Sequence, residues 1–187
     1  ASATLGDVLH VGIRCARQGN TSLLFEAGIF RGMELLNTVE LVYVFADATT
    51  RQPLPVPQQL RDVLTAYEAG QSVVRVASGS WNDLGRDAER LRLAVFVHEQ
   101  GVPREIEIDE FDPVARHAVV YNGLGQPIAT GRLVSDSPGA GRIGRMAVDR
   151  SVRGGRWGRI VLDSLVEASR QRGDREDRRD DRRERAN

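Results

Sequence analysis

The sequence has no lysine, a single cysteine and no long hydrophobic run. Because Cys15 is the only thiol, the chain forms neither an internal disulfide nor a cysteine metal cluster. No stretch reaches the ~18 apolar residues of a membrane span or has the pattern of a signal peptide, so we expect a cytoplasmic protein. All 26 basic residues are arginine, a bias that favours a GC-rich, bacterial source.

Excess charge of either sign is also missing. The 187 residues contain 26 basic and 26 acidic side chains, so the formal net charge is zero. We therefore expect neither nucleic acid nor an anionic membrane as a partner. The hydrophobic fraction of 41% is that of a globular chain, and the length allows one or two domains.

The first 70 residues have the pattern of an antiparallel sheet followed by a short helix. Apolar and β-branched runs predict strands at 8–17, 21–30 and 33–45, separated by glycine-containing turns. Apolar residues at helical spacing predict a helix at 58–67. The segment 69–72 is the best candidate for a linker.

A mixed α/β pattern occupies residues 73–173, and we treat it as a second domain. Its predicted elements are a strand at 73–77, an amphipathic helix at 87–99, an acidic segment at 105–112, strands at 117–121 and 128–135, and a strand, glycine-rich turn and helix from 142 onward. Residues 174–187 alternate arginine with acids and have no apolar face, so this tail is predicted to be disordered or a solvated helix extension.

The glycine-rich turn at Arg153–Gly158 is the most informative motif. A strand that enters a helix through such a turn leaves backbone N–H groups unpaired at the positive end of the helix dipole. Two arginines add positive charge, so the turn suits a diphosphate. The alternative is a tight turn that only places the helix on the sheet.

Five motifs in order carry a family resemblance in residues 73–173. They are Leu93-Ala-Val-Phe-Val-His-Glu-Gln-Gly-Val-Pro, Glu107-Ile-Asp-Glu-Phe-Asp, Arg116-His117, Ala129-Thr-Gly-Arg-Leu and Gly144-Arg-Met-Ala-Val. Together they resemble the GNAT N-acetyltransferase superfamily. The resemblance implies transfer of an acetyl group from acetyl-CoA to a small-molecule or protein amine, without a metal. It also implies coenzyme-binding residues at Met146, Ala147, Val148, Arg153, Gly154, Gly155, Arg156, Trp157 and Gly158.

Two departures from the family pattern affect this expectation. Arg156 stands where the family has a glycine, and a positive φ there would cost roughly 1 kcal/mol unless Gly155 compensates. The charged tail also begins where the family continues with further strands. We therefore expect a GNAT-like domain without its C-terminal strands, as a truncated or frame-shifted product would have.

Residues 1–70 resemble part of a hotdog-fold acyl-CoA thioesterase. The matching motifs are Gly19-Asn20-Thr-Ser, Phe30-Arg31-Gly32 and Glu40-Leu-Val-Tyr-Val-Phe-Ala-Asp. The family's central helix and catalytic carboxylate have no counterpart, so the predicted fold is a partial antiparallel hotdog-type sheet that associates with a second copy. Thioester hydrolysis, or an inactive product acting only through association, remain alternatives to acetyl transfer.

The candidate catalytic residues are Glu107, Asp109 and His117, with Glu110 and Asp112 as further possible bases. Paired acids raise one carboxyl pKa toward neutrality, as a general base requires, but such a run is also typical of a solvated loop. His117 opens a strand, where a structural role is the alternative, and His98 is predicted to be a core histidine. Trp157 either packs between the helix and the sheet or stacks on the adenine of the coenzyme. Arg132 and Arg145 are either exposed to solvent or bind phosphate.

Overall fold

The computed structural model describes residues 2–174 and the backbone of residues 176–179. The chain divides into two compact units, Ala1–Val73 and Val74–Asn187. Among the described helices, none combines the length and the apolar character that crossing a bilayer requires.

The N-terminal unit is the predicted antiparallel meander. Strands β1 (Leu9–Gln18), β2 (Ser22–Arg31) and β3 (Glu34–Val44) pair in the order β1-β2-β3, and helix α1 spans Gln58–Glu68. Gly32 takes a φ of +59° in the tight turn between β2 and β3, which glycine adopts without strain. This confirms the predicted strands and helix to within two residues. The resemblance to a hotdog fold stays a prediction.

The C-terminal unit is a five-stranded sheet with helices on both faces. The strands are β4 (Val74–Gly79), β5 (Arg116–Asn122), β6 (Pro127–Ser137), β7 (Ala140–Val148) and β8 (Glu176–Arg179), which lie in chain order. Neighbours pair antiparallel except β7 and β8, which are parallel. The helical elements are α2 (Trp81–Arg92), a π-helical segment (Leu93–Glu99), α3 (Arg104–Glu107), short 3₁₀ turns at Asp112–Val114 and Arg150–Val152, and α4 (Trp157–Arg172).

Alternation along β5 explains how both faces of this sheet are covered. Ala118 and Val120 belong to a buried cluster that includes Val161 and Leu165 of α4. Val119 and Tyr121 point the other way and pack with Leu84 and Ala88 of α2. A strand buried on both faces reads as a nearly continuous apolar run, as this one does.

Strand β8 corrects the expectation that no strand follows the last helix. The backbone of Glu176–Arg179 pairs with β7 from Ala140 to Ile143. The charged composition of the segment led to the wrong prediction, because main-chain pairing at a sheet edge does not require an apolar side chain. Residue 175 and residues 180–187, where the rest of the predicted tail falls, lie outside the described residues.

The predicted start of the first helix of this unit is also wrong. Helix α2 begins at Trp81, six residues before the predicted position, behind a capping box in which Ser80 and Asp83 exchange hydrogen bonds. The apolar periodicity becomes regular only later along the helix, so the capping box marks the start of the helix better than the periodicity does. His98 is exposed rather than buried in the core, because it lies at the end of the π-helical segment.

Candidate functional site

Strand β7 contains a bulge just before the residues predicted to bind the coenzyme. The pairing of β6 with β7 shifts between Thr130–Ala147 and Arg132–Gly144, so Arg145 and Met146 together lie opposite Gly131. Arg145 adopts a φ of +51°, which is left-handed backbone. Bulges of this kind break the regular ladder and redirect the strand that follows. Here the strand that follows is Met146–Val148.

The turn Arg153–Gly158 has the left-handed backbone that the sequence led us to consider. Gly154 takes a φ of +93°, and Arg156, at the N-cap of α4, takes a φ of +59° and a ψ of +19°. The expected compensation by Gly155 does not occur, since Arg156 itself takes the positive φ. Gly155 is needed for space instead, because a Cβ there would lie 2.4 Å from the indole nitrogen of Trp157.

The same turn presents a row of backbone donors. Within the described residues, the N–H groups from Gly154 to Gly158 have no hydrogen-bond acceptor. They lie at the N-terminus of a helix of 16 residues, where the dipole favours an anion. A turn with this arrangement of donors is suited to an anion.

The bulged strand and the turn are the walls of one open groove of about 550 Å³. Predicted coenzyme-binding residues supply most of its lining, namely Met146, Val148, Arg153, Gly154, Arg156, Trp157 and Gly158. Ala147 is 2% exposed and faces the core. Sequence reasoning missed Val95, Gln100 and Arg159, which also line the groove. No local pattern in the sequence indicates that these three residues face the turn.

Arg153 is held inside the groove by an acid from the π-helical segment. Its two terminal nitrogens each lie 2.6 Å from an oxygen of Glu99, and its Nε donates to the carbonyl of Val148 at 3.2 Å. The hydrogen bonds from Arg153 lower the pKa of Glu99 below its ordinary value. An anion entering the groove therefore meets an arginine that already has a carboxylate partner.

Trp157 packs between α4 and the sheet, which was the predicted alternative to stacking on adenine. Its ring lies against the cluster between α4 and the sheet, and its indole N–H donates to the carbonyl of Val152 at 2.8 Å. A half-buried indole with a satisfied N–H fixes the first turn of α4 on the strand that precedes it.

The acidic segment 105–112 is not a solvated loop, so the alternative interpretation of its acids as solvated is wrong. Glu107 and Asp112 are 2% and 1% exposed, and Asp109 is partly buried, whereas Glu110 remains exposed. Each of the three covered acids lies between two arginines. Glu107 contacts Arg92 and Arg145, Asp109 contacts Arg132 and Arg145, and Asp112 contacts Arg92 and Arg132.

These contacts form a closed ring of alternating charge, which we call the ion ring. Its members in order are Arg92, Glu107, Arg145, Asp109, Arg132 and Asp112. The expectation that Arg132 and Arg145 are exposed is therefore wrong, since their side chains are only 7% and 16% accessible. Arg92, which sequence reasoning missed, is fully buried at the end of α2. In the sequence, the strongest indication that Arg92 is buried is its position as a charged residue within an apolar helix face.

The ion ring moves the carboxyl pKa values of Asp109 and Asp112 in the direction opposite to our expectation. Burial acts to raise the pKa of Asp109, but the hydrogen bonds and charges of Arg132 and Arg145 outweigh it, and the net pKa is lowered. Asp112 behaves in the same way with Arg92 and Arg132. Arginine neighbours favour the ionised carboxylate. Among the described residues, no group of acids, histidines and cysteines has the arrangement of a metal site.

His117 lies beneath the ion ring and is fully buried. Its Nε2 is 2.9 Å from the carbonyl oxygen of Asp112, and its ring centroid is 4.9 Å from that of Trp81. Nδ1 has no partner in the described part of the chain. Burial lowers the pKa of His117, so the ring is neutral near pH 7. Of the three predicted catalytic residues, the structure brings Glu107 and Asp109 into one ring and places His117 behind it.

The mixed α/β fold of the C-terminal unit, with its antiparallel strands, is consistent with the GNAT fold. The model of the acetyltransferase (GNAT) family matches residues 72–179, more than half of the chain, and the chain belongs to this family. Members of the family use acetyl-CoA or another acyl-CoA.

Individual relatives support the same assignment. The chain is 39% identical over 84 residues to the uncharacterized N-acetyltransferase YjcF of Bacillus subtilis, which is 45% of this chain and 59% of YjcF. It is 35% identical over 85 residues to the UPF0039 protein C11D3.02c of Schizosaccharomyces pombe, covering 46% and 56% of the two chains. A solved structure assigned to the N-acetyltransferases, from Lactobacillus plantarum, superposes with a TM-score of 0.51 at 32% identity, over 55% of this chain and 71% of the other. The chain thus spans less than two thirds of its curated relatives.

Proposed function

We propose that the C-terminal unit transfers an acetyl group from acetyl-CoA to an amine. The observation that carries the proposal is the groove between the bulged strand β7 and the turn Arg153–Gly158, whose five consecutive N–H groups lack acceptors within the described residues. Family membership supports an acyl-CoA donor. The choice of acetyl, and of an amine as acceptor, is our proposal.

The residues of the turn fit a diphosphate. Gly154 and Gly158 leave the backbone open, since a Cβ at Gly154 would meet nothing within 4 Å and one at Gly158 only side chains at 3.8 Å or more. The N–H groups would bind the phosphate oxygens, with the dipole of α4 behind them. Arg153, Arg156 and Arg159 line the same groove and supply positive charge.

The backbone of Met146, Ala147 and Val148 would hold the remaining part of the coenzyme and polarise the thioester. Acetyl-CoA supplies an activated acyl group that an amine attacks directly. The chain supplies fixed dipoles for the charge that develops on the carbonyl oxygen, and backbone donors do this without reorganisation. Side-chain identity matters little for such contacts, which explains why small and apolar residues occupy the strand.

For the proton of the amine we propose Asp109, one of the three predicted catalytic residues. Its side chain is 18% accessible, compared with 3% for Glu107, and His117 is fully buried. Asp109 is ionised at neutral pH because the hydrogen bonds of Arg132 and the charge of Arg145 outweigh the effect of burial and lower its pKa. A low pKa makes it a weak base, so an acceptor amine that is already deprotonated is the preferred substrate.

The proposal is tested by calorimetry and by thiol release. Acetyl-CoA titrated into the full chain should give saturable heat, with a dissociation constant between about 1 μM and 1 mM. Thiol release should then require an added primary amine. No heat at millimolar acetyl-CoA would overturn the proposal, and thiol release without any amine would favour the thioesterase alternative. The hotdog resemblance, the cytoplasmic location and the truncated-product alternative stay predictions.

A further inference from the structure

The ion ring connects four segments of the C-terminal unit at one point. Arg92 ends α2, Arg132 lies on β6 and Arg145 lies on β7, while the three acids come from the segment 107–112. Every acid contacts two arginines and every arginine contacts two acids, so the six formal charges cancel. A buried network in which each charge is paired is rigid, because displacing one member leaves others uncompensated.

Arg145 is the member of the ring whose backbone is strained. Its φ of +51° places a residue with a Cβ in the left-handed region, which glycine favours in bulges of this type. Such a conformation persists only where the surroundings hold it. Here Nη2 of Arg145 donates to the carbonyl of Ile106 at 3.0 Å and to Asp109 at 3.1 Å, and Nε lies 3.3 Å from a carboxylate oxygen of Glu107.

The strained residue immediately precedes the groove. Met146 follows it and lines the groove, and the pairing of Ala147 with Thr130 resumes one residue later. The space opposite the bulge is filled, since a Cβ on Gly131 would lie 2.7 Å from Val161 and 3.2 Å from Met146. The direction of the backbone at 146–148 therefore depends on the conformation of Arg145.

We infer that Arg145 is a positioning residue, which the ion ring holds in left-handed backbone so that β7 presents its main chain to the groove. This role for the groove rests on the proposed function. The side chain acts through the backbone it fixes, and it contacts neither the groove nor the turn. If Arg145 has this role, glycine should replace it better than alanine does, because glycine adopts a positive φ freely although it has no side chain.

The test compares Arg145→Ala with Arg145→Gly. Both variants lose every contact of the side chain, so both should lower the melting temperature, and only alanine retains the backbone strain. We expect hydrogen exchange at the amides of Ala147 and Asp149 in the ligand-free protein to be about tenfold faster in the alanine variant than in the glycine variant. Arg104→Ala removes an exposed arginine paired with Glu89 at 3.1 Å and should leave this exchange unchanged.

Equal exchange rates in the alanine and glycine variants, or a wild-type rate in the alanine variant, would overturn the inference. Arg145→Lys keeps the charge but not the planar set of donors and provides the comparison if the other two do not fold. It should exchange faster than the wild type, and an unchanged rate would count against the role. Because exchange is measured without ligand, a wild-type protein that fails to bind acetyl-CoA would remove the proposed function and leave this result standing.

Discussion

Arg156 takes left-handed backbone at the N-cap of α4, where the family pattern has glycine. A residue with a Cβ pays roughly 1–2 kcal/mol for that conformation, whereas glycine adopts it freely. The side chain lines the groove, so the arginine adds a positive charge to the proposed diphosphate site and lowers the stability of the turn.

Arg156→Gly should therefore stabilise the C-terminal unit. The relief of strain exceeds the greater entropy that glycine gives the unfolded chain, and we expect a net gain of about 0.5–1 kcal/mol in the free energy of unfolding. Urea denaturation followed by circular dichroism measures it. Arg159→Gly is the matched control, because Arg159 lies within α4 and glycine there should cost up to about 1 kcal/mol. Loss of stability in Arg156→Gly would show that the arginine side chain holds the turn.

His117 predicts a dependence of stability on pH. Burial lowers the pKa of His117 in the folded state below its ordinary value of 6.5, so below that pH the unfolded chain binds a proton that the folded chain does not. The free energy of unfolding should have its full value above pH 6.5. It should fall as the pH decreases toward the folded pKa of His117, by up to about 1.4 kcal/mol per pH unit. His117→Gln should remove this part of the slope between pH 6.5 and 5. The exposed His98→Gln is the control, and an unchanged slope in His117→Gln would contradict the prediction.

At the scale of elements, the ion ring joins α2 to β6 and β7 through the segment 107–112. Removing one member leaves its two neighbours of opposite charge with an uncompensated buried charge, and the loss of stability is larger than the net contribution of the pair. The ring therefore determines how these elements are packed more than it determines the total stability.

Asp112→Asn should destabilise the C-terminal unit by about 3 kcal/mol or more, because Arg92 and Arg132 both lose a charged partner in a site that is 1% exposed. Chemical denaturation at pH 7 measures the change. Asp163→Asn breaks the exposed pair of Asp163 with Arg159, at 2.8 Å, and should cost no more than about 0.5 kcal/mol. Equal effects in the two variants would mean that the ring contributes no more than a surface ion pair.

The elements that the sequence predicted well are those whose apolar residues follow one period. Val119 and Val120 on β5 and Leu165 on α4 are buried where the pattern places them. The acidic segment was harder, because its partners Arg92 and Arg132 lie 15 or more residues away along the chain. Strand β8 carries no apolar signal, so only its pairing with β7 identifies it. Long-range charge pairing and main-chain pairing at an edge leave no trace in local periodicity.

At the scale of the whole molecule, the N-terminal unit covers little of its apolar surface. Among its described residues, the buried hydrophobic ones are Leu23 and Val56. On β1, by contrast, Val11 is 67% and Ile13 is 50% exposed, and on the same face of β3 Tyr43 is 58% exposed. A three-stranded sheet with so small a core is marginal unless its apolar side is covered. We therefore retain the proposal that this sheet self-associates.

Light scattering after size exclusion tests the proposal on the full chain, whose monomer has a mass of 20.6 kDa. We expect a mass of at least twice that value at high protein concentration, and Val11→Asp should reduce it, because a charge on β1 opposes burial of that face. Val114→Asp is the matched control, since Val114 is 79% exposed and belongs to the C-terminal unit. A monomeric wild type at every concentration would rule out association through the sheet. An equal reduction in both variants would place the contact elsewhere, because only one of the two valines lies on β1.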